Sequence, residues 1–106
     1  MKSKPLPKLR AGDICRGAQD GPNGTHCALG WLDWLVGYNR VEDVIPIVRR
    51  LAGIFSYDTA ISRWNDSPST PTSRIAAVLN QALAKAQEQG IAIDVSRFPK
   101  RKTVRE

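Results

Sequence analysis

The sequence predicts a mainly α protein: a small single-domain helical bundle of about four helices, with a turn-rich N-terminal segment and a short extended segment near the C-terminus. Three observations carry this expectation. Apolar residues recur at helical spacing in successive segments between residues 25 and 86. Those segments are bounded by residues suited to helix ends, with Thr70-Pro71 at a start and Gly53 or Gly90 at a stop. The chain of 106 residues, 42% hydrophobic and 25% charged, is long enough to bury one core without staples.

Residues 1–11 contain Pro5, Pro7 and four cations, and read as a basic N-terminal arm. The helical domain is expected over 12–95, and a basic C-terminal tail over 96–106. Its first stretch, 12–25, holds Gly12, Gly17, Gly21, Pro22, Asn23 and Gly24, with a short hairpin expected around 20–24. The first helix is expected from Thr25, a good N-cap, to about Tyr38. At 100° per residue, Trp31, Trp34, Leu35, Tyr38, Ala28 and Leu32 help cover well over half its circumference. Gly30, Asp33 and Gly37 fill the opposite strip. A helix so apolar is expected at the centre, packed from several sides. The glycine strip is expected to let another backbone approach closely.

The second helix places Val44, Ile45, Ile47, Val48 and Leu51 on one face and Arg49, Arg50 and Pro46 on the other. With Asp43 as N-cap, Pro46 falls in the first turn, where its missing N–H is not needed. Gly53 supplies the stop. A short third helix is expected from Ser56, with Tyr57, Ala60, Ile61 and Trp64 at helical spacing, broken by Asn65-Asp66-Ser67-Pro68. The fourth follows Thr70 as N-cap, with Ile75, Val78, Leu79, Ala82, Leu83 and Ala86 as its buried stripe and Gly90 at its end. Ile91, Ile93 and Val95 then alternate with polar or small residues, as a short extended segment does.

The formal net charge of +6 lies at the ends. Lys2, Lys4, Lys8 and Arg10 open the chain, and Arg97, Lys100, Arg101, Lys102 and Arg105 close it, whereas 11–94 holds seven basic and nine acidic residues. Two basic tails on a nearly neutral body fit a polyanion such as nucleic acid. The plainer alternative is solvated termini that favour solubility. No stretch approaches the ~20 apolar residues of a membrane span, and no apolar run near the start suits a signal peptide. A cytoplasmic protein with no membrane contact is expected, and two cysteines agree with a reducing compartment.

Cys15, His26 and Cys27 invite a chemical reading. They fall short of a metal site, because structural zinc wants paired ligands such as Cys-x-x-Cys and no fourth ligand is in reach. No cofactor is expected. A thiol nucleophile at Cys27, helped by a helix N-terminus and completed by His26, Asn65 or Asp66, is an alternative. With a single histidine and no phosphate-binding glycine loop or carboxylate pair, the expectation is no enzyme and no catalytic residue. Arg49, Arg50, Arg63 and Arg74 lie on or beside helices, with Tyr57 and Trp64 near them in sequence. Guanidinium groups pair with phosphates and aromatic faces stack on unpaired bases, which suits a single strand. Trp64 also fits a core stripe, and surface arginines often merely balance nearby acids.

Ile14-Cys15-Arg16-Gly17, then His26-Cys27-Ala28-Leu29-Gly30-Trp31-Leu32, then Trp64-Asn65-Asp66-Ser67-Pro68-Ser69-Thr70 resemble the paired motifs of a family of small uncharacterised phage and actinobacterial proteins. The resemblance covers about residues 14–86. It implies a common helical fold, a turn arranged by Asn65 and Asp66, and a packing contact between Cys15 and Cys27. It implies no particular activity, but a phage context in which small proteins act by binding. The expected function is therefore non-enzymatic binding of nucleic acid, preferably single-stranded, by Arg49, Arg50, Arg63, Arg74, Lys100, Arg101 and Lys102. Interference with a host defence complex, as anti-CRISPR proteins achieve, is the expected setting. The alternatives are a protein-binding inhibitor with no nucleic-acid contact, and a cysteine-dependent hydrolase or transferase.

Overall fold

Apolar stripes at helical spacing fold into four helices in the computed structural model, which describes residues 6–54 and 60–99. They are α1 (Ala28–Val36), α2 (Val41–Ala52), α3 (Ile61–Asp66) and α4 (Thr72–Glu88), with 3-10 turns at Ala11–Asp13, Pro22–Gly24 and Val95–Arg97. No strand occurs among the described residues. Isolated bridges pair His26 with Ile14 and with Asp20, so the expected hairpin is a tight loop held by one antiparallel bridge. No helix among the described residues is long and apolar enough to cross a membrane.

Helix α1 is central, as its composition predicts: it packs against α2, α3, α4 and the 95–97 turn. Ala28 and Leu32 are fully buried. The helix starts later than expected. The Thr25 hydroxyl donates to the Pro22 carbonyl (2.8 Å), so it serves the preceding turn and not the helix. Cys27 is the N-cap, its sulfur accepting from the Gly30 N–H at 3.4 Å. The helix also stops earlier, at Val36, because Gly37 takes φ +90°, a conformation that favours glycine. Trp34 and Tyr38 therefore do not join the core as expected; they are 43% and 82% exposed.

Helix α2 begins at Val41, three residues before the expected start. The Gly37 carbonyl accepts from both the Arg40 and Val41 N–H groups, which winds the first turn early, and Asp43 pairs with Arg40 instead of capping. Pro46 consequently sits inside the helix and cannot donate to the Glu42 carbonyl. Pro46 and Glu42 are both exposed, so water can satisfy that carbonyl. Val44 and Val48 are fully buried and face α4, which is the chief partner of α2. Gly53 at φ +77° closes the helix, with the Ile54 N–H reaching back to the Arg49 carbonyl at 2.9 Å.

Helix α4 starts one residue late, with Pro71 and not Thr70 flanking it, and it buries the expected stripe from Ile75 to Ala86. Gly90 ends it, and Ile91 folds back into the core as its N–H bonds the Ala86 carbonyl. Helix α3 is shorter at its start and longer at its end than expected. Ala60 is extended (φ −78°, ψ 154°) and precedes it as N-cap, Asn65 and Asp66 form its last turn, and Ser67 ends it. Ser56 and Tyr57 lie outside the described residues. Trp64 is 9% exposed, so it is a core residue and no stacking platform.

The core also reaches past the bounds expected for it. Leu9 is buried, and Asn80 on α4 bonds both its N–H (2.8 Å) and its carbonyl (3.0 Å), much as a neighbouring strand would. Phe98 is buried at the other end, so the inner part of each basic segment belongs to the globule.

Candidate functional site

The loop before α1 is fixed by side chains distant in sequence. Asn65, fully buried, accepts from the Ala28 N–H (2.9 Å) and donates to the Cys15 carbonyl (2.9 Å). It thus caps α1 from another helix and ties residue 15 to it. Asp66 accepts from the Gly17 N–H (2.9 Å), which holds its carboxyl below the usual carboxylate range, with the Asn65 amide as the second cause. The Arg16 guanidinium donates to the Ser67 and Thr70 carbonyls. The Asn-Asp motif therefore does more than shape its own turn. It clamps 15–17 onto the start of α1.

That clamp brings Gln19 against Gly30. A Cβ on Gly30 would lie 2.6 Å from the Gln19 carbonyl oxygen, so only glycine permits this approach. Along the strip so opened lies a groove of about 310 Å³, walled by the loop, the outer face of α1 and the 95–97 turn. His26 forms one side, its Nδ1 2.7 Å from Asp20 Oδ1 and its ring edge-on to Trp31 at 4.6 Å. Trp34 stands next to His26, the two ring centroids 5.9 Å apart and their planes tilted by 32°. The Arg97 guanidinium carbon sits 4.2 Å from the Trp34 ring centroid, and the Trp34 Nε1 donates to the Arg97 carbonyl at 3.1 Å. Arg97 also donates to the Trp34 carbonyl and pairs with Asp94 at 3.1 Å. The Ser96 hydroxyl holds the Asp94 carboxyl low, with the Ser96 N–H and Arg97 assisting. Tyr38, in the turn after α1, presents its ring to solvent at the mouth. At the floor, Asp33 accepts a long 3.4 Å bond from Gln19 at Oδ2, while its Oδ1 is buried with no partner among the described residues.

The cations expected to bind phosphate are placed elsewhere. Arg50 lines a groove between α2 and α4 with Lys85, and Asp43 and Glu88 line it too. Arg63 lies by Asp66 at the end of α3. Arg74 is exposed in the first turn of α4, at the far end of that helix from Lys85. Arg49 is half-buried and already engaged within the fold. No described cavity gathers these four arginines, and acidic groups stand among them. Lys100, Arg101 and Lys102 lie outside the described residues. Trp34, Tyr38 and Arg97 are what sequence reasoning missed as a site. The available signals were an α1 too apolar to be covered all round, and Phe98, which draws Arg97 back to the body.

Both cysteines take part in the hydrogen bonding of the loop and the start of α1. Cys27 is buried with its sulfur at the Gly30 N–H, and it borders a cavity of about 180 Å³ near Asp66. The Cys15 thiol donates to the Ala18 carbonyl, and burial pushes its pKa up. Both thiols are free. Beside the packing contact expected between Cys15 and Cys27, a backbone bond ties the loop to the residue before Cys27, from the Cys15 N–H to the His26 carbonyl at 3.1 Å. No cluster able to hold a metal ion occurs among the described residues. No protein family, curated protein or solved structure matches the chain.

Proposed function

We propose that the protein binds single-stranded nucleic acid across the Trp34–Tyr38 face, with phosphates held by Arg97 and the cations that follow it. One observation carries the reading: exposed Trp34, stacked on Arg97, and exposed Tyr38 line one groove shortly before the chain passes into Lys100, Arg101, Lys102 and Arg105. Tyr38 offers a free ring and Arg97 a flat guanidinium, and unpaired bases stack on both kinds of surface. A duplex keeps its base faces inside and gains nothing from these rings. Arg49, Arg50, Arg63 and Arg74 then add long-range attraction and no direct contact. The phage-family resemblance suggests an exposed strand within a host defence complex as the setting.

A protein partner is the second reading, favoured by Val95, 50% exposed on the same turn as Arg97. Trp, Tyr and Arg are the residue types that dominate protein interfaces. Titration of labelled single- and double-stranded oligonucleotides at two salt concentrations separates the two. Single strands are expected to bind more tightly, with affinity falling steeply as salt rises, because each neutralised phosphate releases counterions. Tyr38→Ala is expected to weaken binding about tenfold, the usual worth of one stacked base. Absence of binding at low salt refutes the reading.

A further inference from the structure

The Asp33 carboxylate sits in the groove with its hydrogen-bonding capacity largely unused. Its Oδ1 is buried and unpartnered among the described residues. Its Oδ2 has only the Gln19 amide at 3.4 Å, near the outer limit of a hydrogen bond. Buried polar groups in native proteins are nearly always paired, and a carboxylate left short of donors is costly. Carboxylate oxygens accept, so a group that completes this one brings hydrogen-bond donors to the groove. Gln19 is exposed and its bond to Oδ2 is long, so its amide is the contact a better donor displaces.

We propose that this groove selects guanine: a base resting against the Trp34 side of the groove directs its ring N–H and exocyclic amino group to the two oxygens of Asp33. This rests on the single-strand reading above and gives it a base preference. Guanine alone among the common bases presents two adjacent donors on its pairing edge. Adenine and cytosine offer an amino group beside an acceptor nitrogen, and thymine or uracil an N–H between two carbonyls, which a carboxylate repels. Backbone phosphates go to Arg97 and the cations that follow it, and Asp20 Oδ1 already faces His26.

The test compares thymidine oligonucleotides that carry a single guanine, hypoxanthine or adenine against the all-thymidine strand, at one ionic strength, with the full chain. The guanine strand is expected to bind at least tenfold more tightly than the others, as one bidentate base contact provides. Hypoxanthine lacks only the exocyclic amino group, so its loss of that advantage assigns the effect to the donor pair. Asp33→Asn is expected to erase the guanine advantage, read as the ratio of guanine-strand to all-thymidine affinity on that same variant, since it swaps one acceptor oxygen for a donor. Equal binding of all strands by the unaltered protein overturns the guanine preference but leaves single-strand binding standing. No binding of any strand removes both. Because the strand series uses the unaltered protein, a poorly folding variant does not weaken the test.

Discussion

Replacing Asn65 with alanine removes the side chain that joins the N-terminal loop, α1 and α3. Asn65 is fully buried, and two of its bonds go to backbone groups, the Ala28 N–H and the Cys15 carbonyl, each at 2.9 Å. The third goes to the exposed Asp66 and counts for little. Leaving a buried donor or acceptor unpaired costs about 1–3 kcal/mol, so the two together cost about 4 kcal/mol. That is a large share of the ~5–15 kcal/mol that holds a domain folded. In urea, at a slope of about 2 kcal/mol per M, the unfolding midpoint is expected to fall by about 2 M. Asn65→Asp keeps an oxygen for the Ala28 N–H but sets a second oxygen against the Cys15 carbonyl. Its deficit relative to the unaltered protein is expected to shrink at acid pH, where the protonated group donates to that carbonyl again. A midpoint shift below about 0.5 M for Asn65→Ala, with unchanged slope, would refute the account of Asn65 as a cap supplied from α3.

Gly30→Ala sets three terms against each other. Helix propensity favours alanine by about 1 kcal/mol. Against it, the new methyl meets the Gln19 carbonyl at 2.6 Å, an overpacking cost of about 1–3 kcal/mol. Moving Gln19 also strains the Cys27 N–H bond to that same carbonyl (3.0 Å), worth about 1 kcal/mol. A net loss of about 1–3 kcal/mol is expected in the same urea measurement, and a gain in stability contradicts the close approach. Asp66 gives a pH test. Its folded pKa is depressed, chiefly by the Gly17 N–H, so its contribution is present above its unfolded value and is lost as pH falls through the folded one. Stability is therefore expected to decline below about pH 4, the unperturbed carboxylate value, and Asp66→Asn is expected to flatten that decline.

Helices α2 and α4 were legible because their stripes are regular: Val44 and Val48 on one, Ile75, Leu79 and Leu83 on the other, all buried as their spacing requires. The centrality of α1 was legible from its excess of apolar surface, and the role of Gly30 from the strip it occupies. Helix starts were not legible. The groups that cap α1 are a thiol and an amide 37 residues away, and no local pattern contains a partner at that distance. Nor does a helical wheel say how much of an apolar circumference the neighbours will cover. Trp34 and Tyr38 lie towards the C-terminal end of α1, where Gly37 diverts the chain and the 95–97 turn packs close by, and so they stay at the surface. The case for Arg49, Arg50, Arg63 and Arg74 rests on Tyr57 and Trp64 near them in sequence; Trp64 is buried, and Tyr57 lies outside the described residues.

The two ends of α1 differ in how their polar groups are satisfied, and that difference separates stability from function. At the N-terminal end the Ala28 and Gly30 N–H groups have partners, and Asn65 and Asp66 spend their capacity on backbone. At the other end Asp33 Oδ1 has no partner among the described residues, Trp34 is covered mainly by Arg97, and Tyr38 stands in water. Optimising the fold alone would favour pairing that oxygen and shortening those rings. Changes at Asn65 must therefore lower stability before they touch binding. Changes at Tyr38 touch binding with stability shifted by no more than about 0.5 kcal/mol, as at exposed positions generally. If Tyr38→Ala instead unfolded the protein as Asn65→Ala does, the exposed rings would be structural, and the groove would lose its claim to be the working face.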